Sequence, residues 1–219
     1  MHEATVRYCN ELGVSAPVLS YNGAMVKHTG SGEVWHHLRV PARPAAEVVR
    51  FCAEQNHHLN YYLDDHLYVA SRTEWAEFYV RQTGSPMEEI GDLRGFAGSR
   101  PTKMILIDGE DVTDTLFESM TALHGTSMYI TKTNAEYLEF MNPDANKGTA
   151  LKLVAERLGI PREEVAAFGD GDNDLSMIQW AGVGVAMGNA KPAVLAAADR
   201  VAPVCDEDGL ACAVEEMLG

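Results

Sequence analysis

The sequence predicts an α/β protein in which a parallel-sheet core is interrupted by an inserted α+β domain. After Pro143, short apolar segments alternate with helical segments, and this alternation is typical of parallel strands joined by right-handed crossovers. Between the N-terminal segment and Pro143, the predicted strands come in adjacent pairs, which favours a mostly antiparallel layer. We therefore predict a core made of residues 1–24 and 143–219, with residues 25–142 inserted into it.

The composition excludes several classes of protein. The 219 residues carry a net charge of −15, which argues against a nucleic-acid partner because phosphate binding requires clustered Lys and Arg. The four cysteines are scattered without a CxxC pair, so we expect reduced, buried thiols. No apolar run reaches the roughly 18 residues of a membrane span, and no signal-peptide layout is present. We expect a cytoplasmic monomer or homodimer without membrane or nucleic-acid partners.

The chain opens with a helix and a short strand. Regularly spaced apolar residues predict a helix over residues 2–12, and Gly13 follows as its C-terminal stop. The run 17–21 then predicts a strand that leads into the turn at Asn22 and Gly23. A helix that delivers directly to a strand is typical of an α/β repeat entered partway through.

The inserted segment begins with a hairpin and continues in the order α-β-β-α-β-α-β-β. Residues 84–100 are rich in glycine and predict a loop. The predicted elements are the hairpin 25–40, the helices 44–56, 73–79 and 111–123, and the strands 58–63, 67–70, 102–107, 126–131 and 135–141.

The last part of the chain predicts alternating helices and strands. The first helix ends at Leu158, because Gly159 is a typical residue just after a helix. The predicted elements are the helices 147–158, 174–180 and 192–197, a closing helix to Leu218, and the strands 165–169, 183–186 and 200–204.

The stretch that carries the chemistry follows the strand at 165–169. Asp170, Asp172, Asn173 and Asp174 lie where the strand ends, and open α/β sheets bind ligands at the carboxyl ends of their strands. Carboxylates this close repel one another unless a cation lies between them, and Mg²⁺ prefers such oxygen ligands. The alternative is a turn in which Asn173 or Asp174 caps the next helix.

Four short motifs together resemble the haloacid dehalogenase (HAD) superfamily, and within it the Cof-type phosphatases. The resemblance runs from residue 1 to the last helix, and the acidic motif in register with Lys147 is its most specific part. The motifs are Ser20-Tyr21-Asn22-Gly23-Ala24, Tyr137-Leu138-Glu139 with Asn146-Lys147-Gly148, Gly169-Asp170-Gly171-Asp172-Asn173-Asp174 with Ser176-Met177, and Gly184-Val185-Ala186-Met187-Gly188-Asn189-Ala190.

The resemblance implies a fold and an activity. Members of the family have a Rossmann-like core with an inserted α+β cap, and they are Mg²⁺-dependent phosphatases of small phosphorylated metabolites such as sugar or cofactor phosphates. An Asp of a DxDxT motif attacks phosphorus to form an aspartyl phosphate, and a second Asp acts as acid and base. A catalytically dead metabolite-binding protein and a phosphomutase on the same scaffold are the alternatives.

The resemblance also implies roles for individual residues in the last third of the chain. Asp170 is expected to ligate the metal, with Asp174 as a second ligand or as a partner behind it. Lys147 is expected to be catalytic and to hold the phosphoryl group; the alternative is a solvated lysine at a helix N-terminus. Asn173 is expected to orient Lys147 or a phosphate oxygen, with helix capping as the alternative.

Near the start of the chain, Asn22 and Gly23 are expected to contact substrate. The alternative is a simple Asn-Gly turn. The adjacent histidines His36-His37 and His57-His58 lie on or directly beside predicted strands, where neighbouring side chains point to opposite faces. Neither pair can chelate a metal from one face, and we expect them to be surface histidines.

The sequence departs from the family at the nucleophile. It contains neither a DxDxT strand nor the Ser/Thr strand that follows it in the family. Asp108 and Asp206 end or follow apolar runs, but neither has the surrounding motif, and we expect Asp206 to begin a helix. We therefore expect a truncated form of a longer protein that hydrolyses no phosphate ester by itself.

Overall fold

The computed structural model describes residues 2–219, and the chain divides after Ala145 into two compact units. The helices are α1 (His2–Glu11), α2 (Ala42–Gln55), α3 (Glu74–Thr83), α4 (Glu110–His124), α5 (Lys147–Leu158), α6 (Leu175–Trp180), α7 (Pro192–Ala197) and α8 (Gly209–Leu218). The strands are β1 (Pro17–Ser20), β2 (Met25–His28), β3 (Val34–His37), β4 (His58–Leu63), β5 (His66–Val69), β6 (Met87–Glu89), β7 (Lys103–Ile107), β8 (Tyr129–Lys132), β9 (Tyr137–Met141), β10 (Ala166–Gly169), β11 (Val183–Ala186) and β12 (Arg200–Val201).

A six-stranded sheet with the order β6-β5-β4-β7-β9-β8 forms the centre of the first unit. Helices α2 and α4 pack on one face, around buried residues that include Val48, Leu106 and Met120. Helix α3 packs on the other face, where Tyr79 and Ile107 are buried. Because both faces are covered, β7 and β9 are buried along their whole length, and each is apolar except for one charged residue.

The sheet confirms the predicted order of elements and adds one strand. Its pairs are antiparallel except for β5 and β6, which run parallel. Strand β6 lies inside the segment 84–100 that we predicted to be a loop. Its Met87 to Glu89 backbone aligns with Leu67 to Val69 of β5, so a partner distant in sequence creates the strand.

A second, three-stranded antiparallel sheet in the first unit has the order β1-β2-β3. Strand β1 pairs with β2 from Pro17 opposite His28 to Ser20 opposite Met25. The assignment of residues 1–24 to one domain with residues 143–219, and of residues 25–142 to the inserted domain, stays a prediction.

The second unit, Asn146–Gly219, contains the parallel sheet β10-β11-β12, as predicted. Its core includes Ala167, Ile178, Ala186 and Val194. Helix α5 has the predicted bounds, whereas β12 is shorter than the predicted strand 200–204. Within residues 2–219, no helix combines the length and apolarity that crossing a membrane requires.

Candidate active site

The acidic turn that follows β10 is organised by the carboxylate of Asp174. Its Oδ2 accepts hydrogen bonds from the backbone nitrogens of Asp170 and Gly171, each at 3.0 Å. Asp174 therefore folds back over the start of its own turn and satisfies two amides that would otherwise lack partners. The turn lies at the carboxyl end of a parallel strand, where the sequence predicted a ligand site.

Gly169 permits this close return of the chain. A Cβ atom at residue 169 would lie 2.4 Å from the Cβ of Asp174, a distance that packed side chains do not tolerate. The glycine immediately before Asp170 is thus required by the position of Asp174. Any larger residue would push the Asp174 carboxylate away from the two backbone amides that donate hydrogen bonds to it.

Lys147, at the first position of α5, donates through its ammonium group to Oδ1 of Asp174. The carboxylate side chain is 7% exposed and the lysine side chain 27%, so the ammonium group is paired and still accessible. The start of α5 also lies close to the start of α6, where the Gly148 backbone nitrogen donates to Ser176 Oγ at 3.1 Å. A Cβ at Gly148 would lie 2.5 Å from the Ser176 carbonyl oxygen.

Asp170 is exposed, and its backbone oxygen accepts from the Lys191 nitrogen at 2.9 Å. Asn173 is half-buried in the same turn. The Lys191 ammonium also pairs with Asp172, so Lys191 anchors the turn twice. Sequence reasoning missed Lys191, although its place directly after the Gly188-Asn189-Ala190 motif was a usable signal.

The carboxylate oxygens of this turn are the type of donor that Mg²⁺ prefers. They could fill only a small part of its octahedral coordination. Among residues 2–219, no group of three or more His, Cys, Asp or Glu is arranged to hold a metal ion. Both oxygens of Asp174 are engaged, so this residue fits the supporting role better than that of a ligand. Asp170 supplies the exposed carboxylate, and Mg²⁺ sites use one or two carboxylates together with water and phosphate oxygens.

Asn22 and Gly23 lie in a short 3-10 turn of the first unit. Asn22 has φ 54° and Gly23 has φ 91°, and an Asn adopts such a left-handed conformation more readily than most residues. The Asn22 amide nitrogen donates to Glu139 Oε2 at 3.3 Å. Because a carboxylate accepts and never donates, Glu139 determines which way the amide faces.

Glu139 belongs to a buried ion pair that the sequence analysis did not identify. Its Oε1 lies 2.6 Å from the Lys103 ammonium, and the two side chains are 4% and 3% exposed. Thr133 also donates to Oε1, at 2.8 Å. The available signal was one charged residue in each of two otherwise apolar strands, β7 and β9.

The histidines at positions 57 and 58 have separate partners. His57 Nδ1 lies 2.7 Å from an Asp108 carboxylate oxygen, which explains that acid without a nucleophilic role. His58 is buried between Thr73 and Asn60, at 2.9 Å from each, and burial lowers its pKa. The prediction of a surface histidine is therefore wrong for His58, because the Thr73 turn covers it.

The other acid considered as a nucleophile, Asp206, is exposed in the 3-10 turn Cys205–Glu207. Helix α8 begins three residues later, at Gly209, as expected for an acidic helix start. The Asp206 side chain makes no hydrogen bond or ion pair among residues 2–219.

Comparisons with known proteins show the family of this chain. A model of the haloacid dehalogenase-like hydrolase family matches residues 1–214. The chain therefore belongs to the haloacid dehalogenase-like hydrolases. The predicted fold class, a Rossmann-like core with an α+β cap, is confirmed by the similarity to solved members of this family.

The relatives in question are phosphatases and hydrolases. The chain is 28% identical over 229 residues to a 5-amino-6-(5-phospho-D-ribitylamino)uracil phosphatase, YitU, of Bacillus subtilis, covering 98% of this chain and 81% of the relative. It is 28% identical over 232 residues to the phosphatase YwpJ of Bacillus subtilis, covering 94% and 81%. A crystal structure of a haloacid dehalogenase-like hydrolase from Bacteroides thetaiotaomicron superposes with a TM-score of 0.89 at 26% identity, covering 98% and 82%.

Proposed function

We propose that this protein functions as a Mg²⁺-dependent phosphatase of small phosphorylated metabolites, such as sugar or cofactor phosphates. Similar proteins are named as phosphatases, and one of them takes a phosphorylated ribitylaminouracil. The observation that carries the proposal is the Lys147–Asp174 pair at the end of β10, beside the exposed carboxylate of Asp170.

Each of these groups has a chemical task in phosphoryl transfer. The accessible ammonium of Lys147 binds phosphate oxygens, and Asp174 holds that ammonium in place. Asp170 is the carboxylate for Mg²⁺, which offsets the negative charge of the phosphoryl group. Asn173 adds an amide donor in the same turn. For Asn22 and Gly23 of the first unit, the substrate contact that the family resemblance implies stays a proposal.

The nucleophile is the part of this chemistry that the sequence lacks. The family resemblance implies attack by an Asp of a DxDxT motif to give an aspartyl phosphate, and no such motif occurs in the 219 residues. We therefore propose that the chain by itself binds phosphate weakly and hydrolyses no phosphate ester. This is also the observation that favours a second candidate function, a metabolite-binding protein without catalysis.

An extension experiment separates the two functions. The test fuses the DxDxT-bearing N-terminal segment of a relative to residue 1 and measures phosphate release from p-nitrophenyl phosphate and from sugar phosphates with Mg²⁺. We expect turnover from the extended protein, none from the unextended chain, and loss of turnover in Lys147→Met and Asp170→Asn. A folded extended protein without turnover would favour the metabolite-binding protein, and hydrolysis by the unextended chain that Asp206→Asn or Asp108→Asn abolishes would overturn the proposal.

A further inference from the structure

A cavity of about 230 Å³ lies in the first unit between α2 and the 3-10 turn Leu93–Phe96. This volume is below the roughly 300–1,000 Å³ of pockets for drug-sized ligands, so it suits a small molecule. Its walls are mainly apolar and aromatic, and the stacked rings of Tyr61 and Phe96 have centroids 5.1 Å apart. The lining residues include Ala46, Val49, Arg50, Tyr61, Leu93 and Phe96.

Tyr61 lines the cavity, and its hydroxyl is the first polar group that this lining offers. The residue is 1% exposed, and its hydroxyl makes no hydrogen bond within residues 2–219. The Tyr61 hydroxyl is not sealed in the core, unlike that of its neighbour Tyr62, which donates to Tyr79 at 2.9 Å. Burial raises the pKa of Tyr61 to about 12, so the hydroxyl keeps its proton and can donate it.

The second polar group is the guanidinium of Arg50. It is exposed and has no ion-pair or hydrogen-bond partner among the described residues. The other guanidinium at the cavity, that of Arg94, is already held by the Asp92 carboxylate at 2.9 Å. Of the two guanidinium groups at the cavity, that of Arg50 is therefore the one still open to a ligand.

These features define the ligand by its chemistry. The cavity accommodates an apolar body, flat enough to lie against aromatic rings, and its two uncommitted groups are both hydrogen-bond donors. We propose that this cavity binds a small carboxylate with an aromatic body, whose carboxylate accepts from Arg50 and Tyr61. The proposal does not depend on the proposed phosphatase function, because every lining residue belongs to the first unit and none is assigned to phosphate or metal.

The experiment titrates the isotopically labelled 219-residue protein with 3-phenylpropionate and follows the backbone amide resonances of Ala46 and Ala97, which line the cavity. The same titration with 3-phenylpropanol keeps the body and removes the charge, and acetate keeps the charge and removes the body. We expect saturable shifts with 3-phenylpropionate, roughly tenfold weaker binding of the alcohol because a charge-assisted contact is lost, and no binding of acetate.

Two variants assign the contacts. Arg50→Gln is expected to bring the affinity for 3-phenylpropionate down to that for the alcohol, without changing the alcohol's affinity. Arg43→Gln is the matched control, because Arg43 is an exposed arginine on the same helix that pairs with Glu47 and does not line the cavity. It should bind as the unchanged protein does.

Tyr61→Phe keeps the ring and removes the hydroxyl. We expect several-fold weaker binding of 3-phenylpropionate with an unchanged free energy of unfolding, because the hydroxyl loses no partner in the protein. A purely structural hydroxyl would instead change the stability and leave the affinity alone. Equal affinities for acid and alcohol, unaltered binding by Arg50→Gln, or no shifts at Ala46 and Ala97 would each overturn the proposal.

Discussion

The two units each contain a lysine paired with a buried carboxylate, and the pairs differ in access to solvent. Lys103 and Glu139 of the first unit are 3% and 4% exposed, so both charges are sealed inside the protein. Lys147 and Asp174 of the second unit are 27% and 7% exposed, so the carboxylate is buried and the ammonium is accessible. A lysine that a ligand can reach is able to bind phosphate, whereas a sealed pair can act only on the structure around it.

The partners of the two carboxylates extend the contrast. Glu139 accepts from Lys103, Thr133 and Asn22, which are all side chains, and so it joins distant parts of the first unit. Asp174 accepts from two backbone amides of its own turn and from Lys147. The first carboxylate therefore stabilises a fold, and the second shapes a turn in which the Asp170 carboxylate and the Lys147 ammonium stay accessible to solvent.

The largest effect is expected from Glu139→Gln, which leaves the Lys103 charge buried without a counter-charge. We expect a loss of about 3–5 kcal/mol in the free energy of unfolding, measured by urea titration. Adding Lys103→Met to Glu139→Gln should recover part of this loss, because the stranded charge is removed. The control Glu118→Gln changes an exposed carboxylate of α4 and should stay within about 0.5 kcal/mol; a similarly small effect at Glu139 would contradict the sealed-pair interpretation.

Asp174→Asn should cost about 2–3 kcal/mol, less than Glu139→Gln, because the partner ammonium is solvated once released. The same change should speed hydrogen exchange at the amides of Asp170 and Gly171, which lose their charged acceptor. Asp172→Asn is the matched control, since Asp172 pairs with Lys191 on the exposed surface, and such pairs contribute about 1 kcal/mol or less. Unchanged exchange at Asp170 and Gly171 would show that Asp174 does not hold the turn.

Lys147→Met should separate stability from binding. We expect a loss of about 1–2 kcal/mol, because Asp174 keeps its two backbone donors, together with loss of measurable inorganic phosphate binding by ³¹P NMR with Mg²⁺ present. Lys103→Met should do the reverse, with a large loss of stability and unchanged phosphate affinity in the molecules that stay folded. Phosphate binding that persists in Lys147→Met would show that the accessible lysine does not bind phosphate, and the functional difference between the two pairs would be lost.

The smallest effect on stability is expected at Asp170. Asp170→Asn alters an exposed side chain and should change the free energy of unfolding by no more than about 0.5 kcal/mol. It should nevertheless weaken Mg²⁺ binding by at least about tenfold, because a neutral amide replaces the carboxylate that we propose as the metal ligand. Isothermal titration with Mg²⁺ measures this, and Asp206→Asn, an exposed acid in another turn of the same unit, should bind Mg²⁺ unchanged.

Local patterns in the sequence determined most of the second unit. Helix α5, strand β11 and helix α7 have the predicted bounds, because the apolar spacing, Pro192 and Gly159 act within a few residues of the positions they influence. The acidic turn after β10 was predicted as a ligand site for the same reason. The family of the protein was also available from the sequence, because short motifs carry it.

Only the tertiary structure decided what the charged residues do. The sequence does not reveal that Lys103 and Glu139 meet, because 36 positions separate the two residues and a single charge in an apolar strand does not identify its partner. It also does not reveal that both oxygens of Asp174 are occupied, that β6 pairs with β5, or that His58 is buried. Each of these facts depends on contacts between segments that are far apart in the chain. Local sequence patterns do not indicate which distant segments meet in the folded protein.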